Sequence, residues 1–268
     1  MKFRPTLLLM LFAAFGNNQS LGQTIAGGAN YSLALKEDGT VVAWGSNTSG
    51  QCNVPRRLID VVAIEAGGSH SLALKEDGTV VAWGWNKYHQ CDVPSGLKDV
   101  VAIAGDNHSL ALKEDGTVVA WGSNVNSQLD VPSGLKDVVA IEAGYSHSLA
   151  LKEDGTVVAW GSNVNSQLDV PSGLKDVVAI EAGFYHSLAL QADGTVVAWG
   201  RDHNNQCYVP SGLKDVVAIK AGGHHSLALQ ENGTVAAWGS NVNSQLDVPS
   251  GLKDVVAIEA GFYHSLAL

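Results

Sequence analysis

The sequence predicts an all-β protein: a β-propeller of the seven-bladed type with four-stranded blades. Three observations predict it. A unit of about 39 residues repeats along almost the whole chain, each unit carries short β-branched runs around an Asp-Gly or Asn-Gly turn, and no segment has a useful 3.6-residue apolar period. The repeated turn starts at Lys36, Lys75, Lys113, Lys152, Gln191 and Gln230, so the steps are 39, 38, 39, 39 and 39 residues. The short step falls where Ile103-Ala104-Gly105 replaces the usual I-E-A-G.

Taken in order, the chain opens on a different kind of segment. Lys2 and Arg4 precede the apolar run Leu7 to Phe15, and small residues follow at Ser20-Leu21-Gly22. Residues 1–22 therefore read as a secretory signal peptide, and residues 23–268 as the propeller. The apolar run is short for a membrane span, so no membrane insertion is expected after cleavage.

Within each unit, V-V-A-I-E-A-G supplies a first strand and H-S-L-A-L a second. The Asp-Gly turn closes a hairpin onto T-V-V-A-W, the third. Leu72 and Leu74 share one face while Ser71 and Ala73 share the other, so each sheet offers a bulky face to its neighbour's small one. The segment around Q-L-D-V, ending in Pro, is the expected fourth strand. Four-stranded sheets repeated radially give a propeller. A parallel β-helix is the rival, and the antiparallel hairpin in every unit argues against it.

The S-L-A-L strand occurs seven times, from Ser32 to Leu268, but the D/N-G-T-V-x-A-W-G arm only six. Either six blades close with redundant ends, or a seven-bladed ring has a C-terminally clipped last blade. The second is the reading adopted.

Composition limits the function. The formal charge is −10, and losing Lys2 and Arg4 with the leader takes it to about −12 (−10 − 2). An acidic chain gives no footing for nucleic acid, where basic charge dominates affinity. Cys52, Cys91 and Cys207 occupy a repeat position filled elsewhere by Leu129, Leu168 and Leu246. A small buried apolar side chain is the first reading there; a Cys52–Cys91 bridge and a metal site are the others.

The copies differ in two places. One is the pair before H-S-L-A-L: Gly68-Ser69, Asp106-Asn107, Tyr145-Ser146, Phe184-Tyr185, Gly223-His224 and Phe262-Tyr263. The other follows the strand Trp, as in Trp85-Asn86-Lys87-Tyr88-His89 and Arg201-Asp202-His203. Strand parity brings both to one rim, whereas the K-E-D-G and S-G-L-K-D turns make the other rim monotonous. The candidate ligand-binding residues are thus Trp85, Tyr88, His89, Tyr145, Phe184, Tyr185, Asp202, His203, Phe262 and Tyr263, with Asp106 and Lys87 among them. Aromatic anchors with a few charges suit a protein-binding hot spot.

Catalytic and metal readings find no support in the sequence. The repeated His70, His108, His147, His186, His225 and His264 occur once per unit, where a ring nitrogen bonded to backbone would brace the turn. Successive His and Ser side chains point to opposite faces of a strand. The chain has no phosphate loop, no nucleophile elbow and no H-E-x-x-H. No catalytic residue, metal or cofactor is expected.

With these residues laid out, G-x-x-H-S-L-A-L-K-E-D-G-T-V-V-A-W-G-S-N-x-x-x-Q resembles the regulator of chromosome condensation repeat, from about Thr24 to Leu268. That resemblance implies a seven-bladed propeller. The family's nuclear members promote nucleotide exchange on a small GTPase and bind chromatin, but an exported acidic chain points elsewhere. The compact units with V-P after the Gln loop are similar to secreted bacterial propellers that inhibit β-lactamases. That likeness implies recognition by Tyr145, Phe184, Tyr185, Phe262 and Tyr263, and by the loops holding Trp85, Tyr88 and Asp202.

The function expected is that of a bacterial, monomeric, non-enzymatic binding protein, secreted, periplasmic or at the cell surface. Its partner would be a protein or cell-surface ligand. The alternatives are a structural or adhesive repeat segment of a longer surface protein and, behind it, an exported enzyme.

Overall fold

A computed structural model describes residues 24–268; the expected signal peptide lies outside the described residues. Six three-stranded antiparallel sheets follow one another, and a two-stranded sheet comes last. The first strands are Thr24–Gly27, Val61–Ala66, Val100–Gly105, Val138–Ala143, Val177–Ala182, Val216–Ala221 and Ile258–Ala260. Each of the first six is joined to a second and a third without crossover, and Ile258–Ala260 to a second alone, Ser265–Ala267. In the second sheet His70–Lys75 pairs with Val61–Ala66 on one side and Val80–Gly84 on the other, setting Leu72 opposite both Glu65 and Ala82. First strands of successive sheets are neighbours, and that of the last sheet lies against that of the first. The Phe262 N–H donates to the Gly28 carbonyl at 3.2 Å, as the Gly68 N–H does to the Asp106 carbonyl at 3.2 Å. The array thus returns on itself in the manner of a propeller.

The hairpin turn forms as its residues dictate. Lys75 N–H bonds the Thr79 carbonyl at 2.9 Å, Gly78 adopts φ 74°, and Asp77 Oδ1 accepts the Thr79 N–H at 3.0 Å. A left-handed residue closing a three-residue loop favours glycine, which has no Cβ to clash.

The expected fourth strand is absent among the described residues. Its segment is taken up by local bonds instead. Asn124 Oδ1 accepts the Leu129 N–H at 2.9 Å, Gln128 Oε1 accepts the Asn126 N–H at 2.8 Å, and Ser127 sits at φ 61°. Side chains of Asn and Gln compete for backbone donors that a ladder would need, and Pro132 offers none.

Bulky and small faces interleave as the alternation predicts. Ala73 and Trp83 of the second sheet pack on Leu33, Leu35 and Val41 of the first. Ala189 and Trp199 pack likewise on Leu149, Leu151 and Val157. Each buried Leu contributes about 2 kcal/mol of apolar transfer.

Polar belts join the sheets. Trp83 Nε1 donates to the Gln51 carbonyl of the preceding sheet's loop at 2.9 Å, and Ser71 Oγ donates to the same oxygen at 3.0 Å. Trp121, Trp160, Trp199 and Trp238 repeat the indole bond at 2.9–3.0 Å. Trp44 has no such bond among the described residues and is 45% exposed.

The repeated histidines are not braced on backbone as expected. Each places Nε2 at 2.7–3.0 Å from a serine of the next sheet: His70 on Ser109, His108 on Ser148, His147 on Ser187, His186 on Ser226 and His225 on Ser265. His264 reaches Ser32 of the first sheet at 3.0 Å. Tyr31 fills the seventh position and donates to the His70 carbonyl. Parity explains this: a His and its adjacent Ser face opposite neighbours, so each sheet offers a ring to one side and a hydroxyl to the other. Ser148 Oγ donates to the Gln128 carbonyl at 3.1 Å, which leaves it to accept from His108 and assigns the ring proton to Nε2.

Cys52, Cys91 and Cys207 are half-buried free thiols, so no Cys52–Cys91 bridge forms. Nor are they merely apolar: each Sγ donates to a carbonyl six residues back, Ser46, Trp85 and Arg201, at 3.2–3.3 Å.

Candidate functional site

Both variable segments lie at one end of the sheets. The Trp85 N–H bonds the Ser69 carbonyl at 2.9 Å, and Arg201 N–H bonds the Tyr185 carbonyl at 2.9 Å. The loop after each strand Trp is therefore stitched to the pair before each His. That loop is a rigid frame with free positions. In the second sheet Asn86 Oδ1 accepts the Cys91 N–H at 2.8 Å and Gln90 Oε1 accepts the Tyr88 N–H at 2.9 Å. Asn and Gln hold the backbone, so Lys87, Tyr88 and His89 between them are released to vary.

Five rings meet on this rim. Tyr145 stacks on Phe184 with centroids 3.9 Å apart, and Phe184 meets Tyr185 edge-on at 4.3 Å. Phe262 meets Phe184 edge-on at 5.1 Å, and His224 lies 5.6 Å from it. Tyr263, 43% exposed, extends the group through Phe262 at 6.2 Å. Arg201 lies over the Tyr185 ring at 5.4 Å, a cation–π arrangement. Burial, then the neighbouring Tyr145, pushes the Tyr185 hydroxyl up.

Trp85 and Tyr88 form a second pair, edge-on at 5.2 Å, with Lys87 5.6 Å from the Tyr88 ring. His89 is exposed and bonded to Asp92 at 2.7 Å. Asp202 is exposed but has a structural task, accepting the Cys207 N–H at 2.8 Å where other loops use Asn. His203 is exposed. Asp106, expected on display, is buried instead. The one-residue deletion before it puts Asp106 where its neighbours have glycine: its N–H bonds the His108 carbonyl across two residues rather than three.

His224 and Arg201 were missed by residue-type reasoning. Both stood in the variable positions, and that variability was the available signal. Also missed was the axis. The residue opposite the second-strand Leu faces inward: Ala26, Glu65, Ala104, Glu142, Glu181, Lys220 and Glu259 around the ring. Lys220 Nζ sits 3.0 Å from Glu181 and 2.9 Å from Glu259. Burial works to lower the Lys220 ammonium, but Glu181 and Glu259 outweigh it and hold it well above the ordinary lysine value. Burial and then the Glu259 charge push Glu65 up to about 8, while burial takes Glu181 up to about 7 against the pull of Lys220. Among the described residues no group of three or more His, Cys, Asp or Glu stands in a metal-holding arrangement.

No curated protein matches the chain. Among solved structures it is similar to Prp20p from Saccharomyces cerevisiae, a protein with binding properties toward Gsp1p and histones, at 24% identity and TM-score 0.78, covering 91% of this chain and 81% of that one. It is also similar to the ectodomain of the Physcomitrella patens receptor kinase CR4, at 25% identity and TM-score 0.75, covering 91% and 69%. A third likeness is to the ectodomain of the Arabidopsis thaliana receptor kinase ACR4, at 21% identity and TM-score 0.75, covering 92% and 93%. None of these findings supports the likeness to β-lactamase inhibitors. The regulator of chromosome condensation (RCC1) repeat matches residues 23–51, 61–90, 98–128, 138–167, 177–206 and 216–245, well over half the chain. With six repeats in register with six three-stranded blades, the chain belongs to the RCC1 repeat family.

Proposed function

We propose that the protein is a secreted, non-enzymatic binding module that recognises a protein or cell-surface ligand through its aromatic rim. The observation that carries this is the contiguous ring cluster of Tyr145, Phe184, Tyr185, His224 and Phe262, built at positions where the other copies hold Gly, Ala, Ser, Asn or Asp. Large rings with few rotatable bonds give contact area at small entropic cost, which is why they dominate hot spots. Proteins of this repeat family are generally binding or exchange-factor proteins rather than classical enzymes, and Prp20p, a structural neighbour, binds proteins. The scaffold is read as a seven-bladed propeller whose last blade is represented by two strands. Secretion rests on the leader-like residues 1–22.

The test is capture on immobilised residues 23–268 from extracellular and envelope fractions of the host. A variant with Trp85, Tyr88, Tyr145, Phe184, Tyr185, Phe262 and Tyr263 changed to Ala runs beside it, after circular dichroism has shown both to be folded. A partner retained by the first and lost by the second is the expected result. Equal retention by both, or none by either, overturns the rim reading and favours a structural repeat segment of a longer surface protein.

A further inference from the structure

Lys220 shows how the axis accommodates a cation. It occupies the inward position of the sixth sheet, and its ammonium is clasped between glutamates at the same position of the fifth and seventh. The second, third and fourth sheets repeat that register, apart from the one-residue deletion before Asp106 and one exchange at the inward position. Glu65 and Glu142 flank the inward position as Glu181 and Glu259 do, but Ala104 stands where Lys220 stands. Glu65, Glu142, Glu181, Lys220 and Glu259 line one axial cavity of about 70 Å³, whereas the short Ala104 side chain does not reach it; that volume is several times the roughly 10–15 Å³ that a single water needs.

A second observation on the alanine side points to a ligand. Asp106 also lines this cavity, is 5% exposed, and its Oδ1 is buried without a hydrogen-bond partner. A buried carboxyl oxygen left unpaired costs free energy that a donor would recover. The cation on the far side of the cavity is already engaged by Glu181 and Glu259. Phe184 and Phe262 edge the cavity toward the variable rim, so apolar carbon has a place beside the charge.

We propose that Glu65, Asp106 and Glu142, all lining the cavity, form a receptor for one primary ammonium group, which takes between the second and fourth sheets the part that Lys220 Nζ takes between the fifth and seventh. Three N–H donors suit three carboxyls in a concave site, and charge-assisted bonds of this kind are the stronger ones. The reading is independent of which partner sits on the rim.

The experiment is thermal unfolding in n-butylammonium chloride against sodium and tetramethylammonium chlorides at equal ionic strength. The expected result is a rise in Tm of about 3 °C at tenfold over the dissociation constant for n-butylammonium alone. Ala104→Lys fills the site from within, so it should abolish the rise. Glu142→Gln, nearly isosteric, should weaken it at least tenfold and serves if Ala104→Lys does not fold. An acetylated and amidated Gly-Gly-Lys-Gly-Gly peptide separates the sources: a response at lower concentration than n-butylammonium assigns the site to a lysine side chain, and a response to n-butylammonium alone assigns it to a soluble amine. No rise in the parent protein, or an equal rise in Ala104→Lys or Glu142→Gln, overturns the proposal. Trp85→Ala on the rim should leave the response unchanged whether or not the rim binds a partner.

Discussion

Replacing His108 with Gln should make the protein's stability less dependent on pH, by an amount the structure sets. His108 is fully buried, its Nε2 bonds Ser148 Oγ at 2.7 Å, and its Nδ1 has no partner. Burial, then the charges that His147 and His70 would carry, pushes its ring down to about 3. In the unfolded chain it titrates near 6.5. The folded state therefore binds fewer protons than the unfolded one between these values. The associated stability is fully present above about 6.5 and drains away as pH falls toward 3. From pH 7.5 to 5.5 the unfolded histidine goes from about one-tenth to about nine-tenths protonated while the folded one stays neutral, which costs about 1.3 kcal/mol. Gln keeps an amide donor near Ser148 and removes the titration. The axial carboxyls, raised by burial, act in the opposite sense and are common to both proteins, so they cancel in the difference. Urea unfolding followed by Trp fluorescence at pH 7.5 and 5.5 gives the comparison. The parent's advantage over His108→Gln should shrink by about 1.3 kcal/mol across that range; a constant gap would refute the account of a buried neutral ring.

Two further predictions use the repeats as their own controls. Trp121→Phe removes the Nε1 bond to the Gln90 carbonyl at 2.9 Å and part of a buried ring, and should cost about 2 kcal/mol in urea unfolding. Trp44→Phe, at a 45% exposed ring without that bond, should stay within about 0.5 kcal/mol. Gly144→Ala places a Cβ 2.3 Å from His147 Cε1 and 2.6 Å from the Gly183 carbonyl oxygen, and should cost at least about 3 kcal/mol or prevent folding. Gly134→Ala meets nothing within 4 Å, so its φ of 82° alone should cost about 1 kcal/mol by the same assay.

The strands were legible because the local signals agreed with one another: β-branched runs, Leu/Ala alternation and an Asp-Gly turn all specify the same hairpin. Gln-Leu-Asp-Val misled because its apolar letters fit a strand, whereas its fate was decided by Asn124 and Gln128 taking up its backbone N–H groups. Side-chain-to-backbone capture of this sort leaves no periodicity to read. The rim was legible as a set of positions, since strand parity alone brings them to one end. Which residues touch there was not: Tyr145, Phe184 and Phe262 come from three sheets, and only blade curvature brings their rings together. Asp106 was misplaced because a one-residue deletion moved it from the displayed pair into the glycine's position. The axial glutamates were visible as the E of I-E-A-G, but a single sheet seen alone does not reveal that its inward face looks across an axis at the others.

The histidine belt has a consequence for how such a chain can grow. Six junctions set a histidine ring against a serine hydroxyl of the next sheet and the remaining one sets the Tyr31 hydroxyl beside Ser71, so every junction is made of unlike halves. Head-to-tail contacts of this kind form a closed circle or an open helix according to the rotation at each step. A unit copied whole carries both halves with it and meets its new neighbours with the correct chemistry at once. The stretch from Gly122 to Gly144, present again from Gly161 and from Gly239, is what such copying leaves behind. Curvature, rather than recognition between units, then becomes the quantity that limits how many can be accommodated.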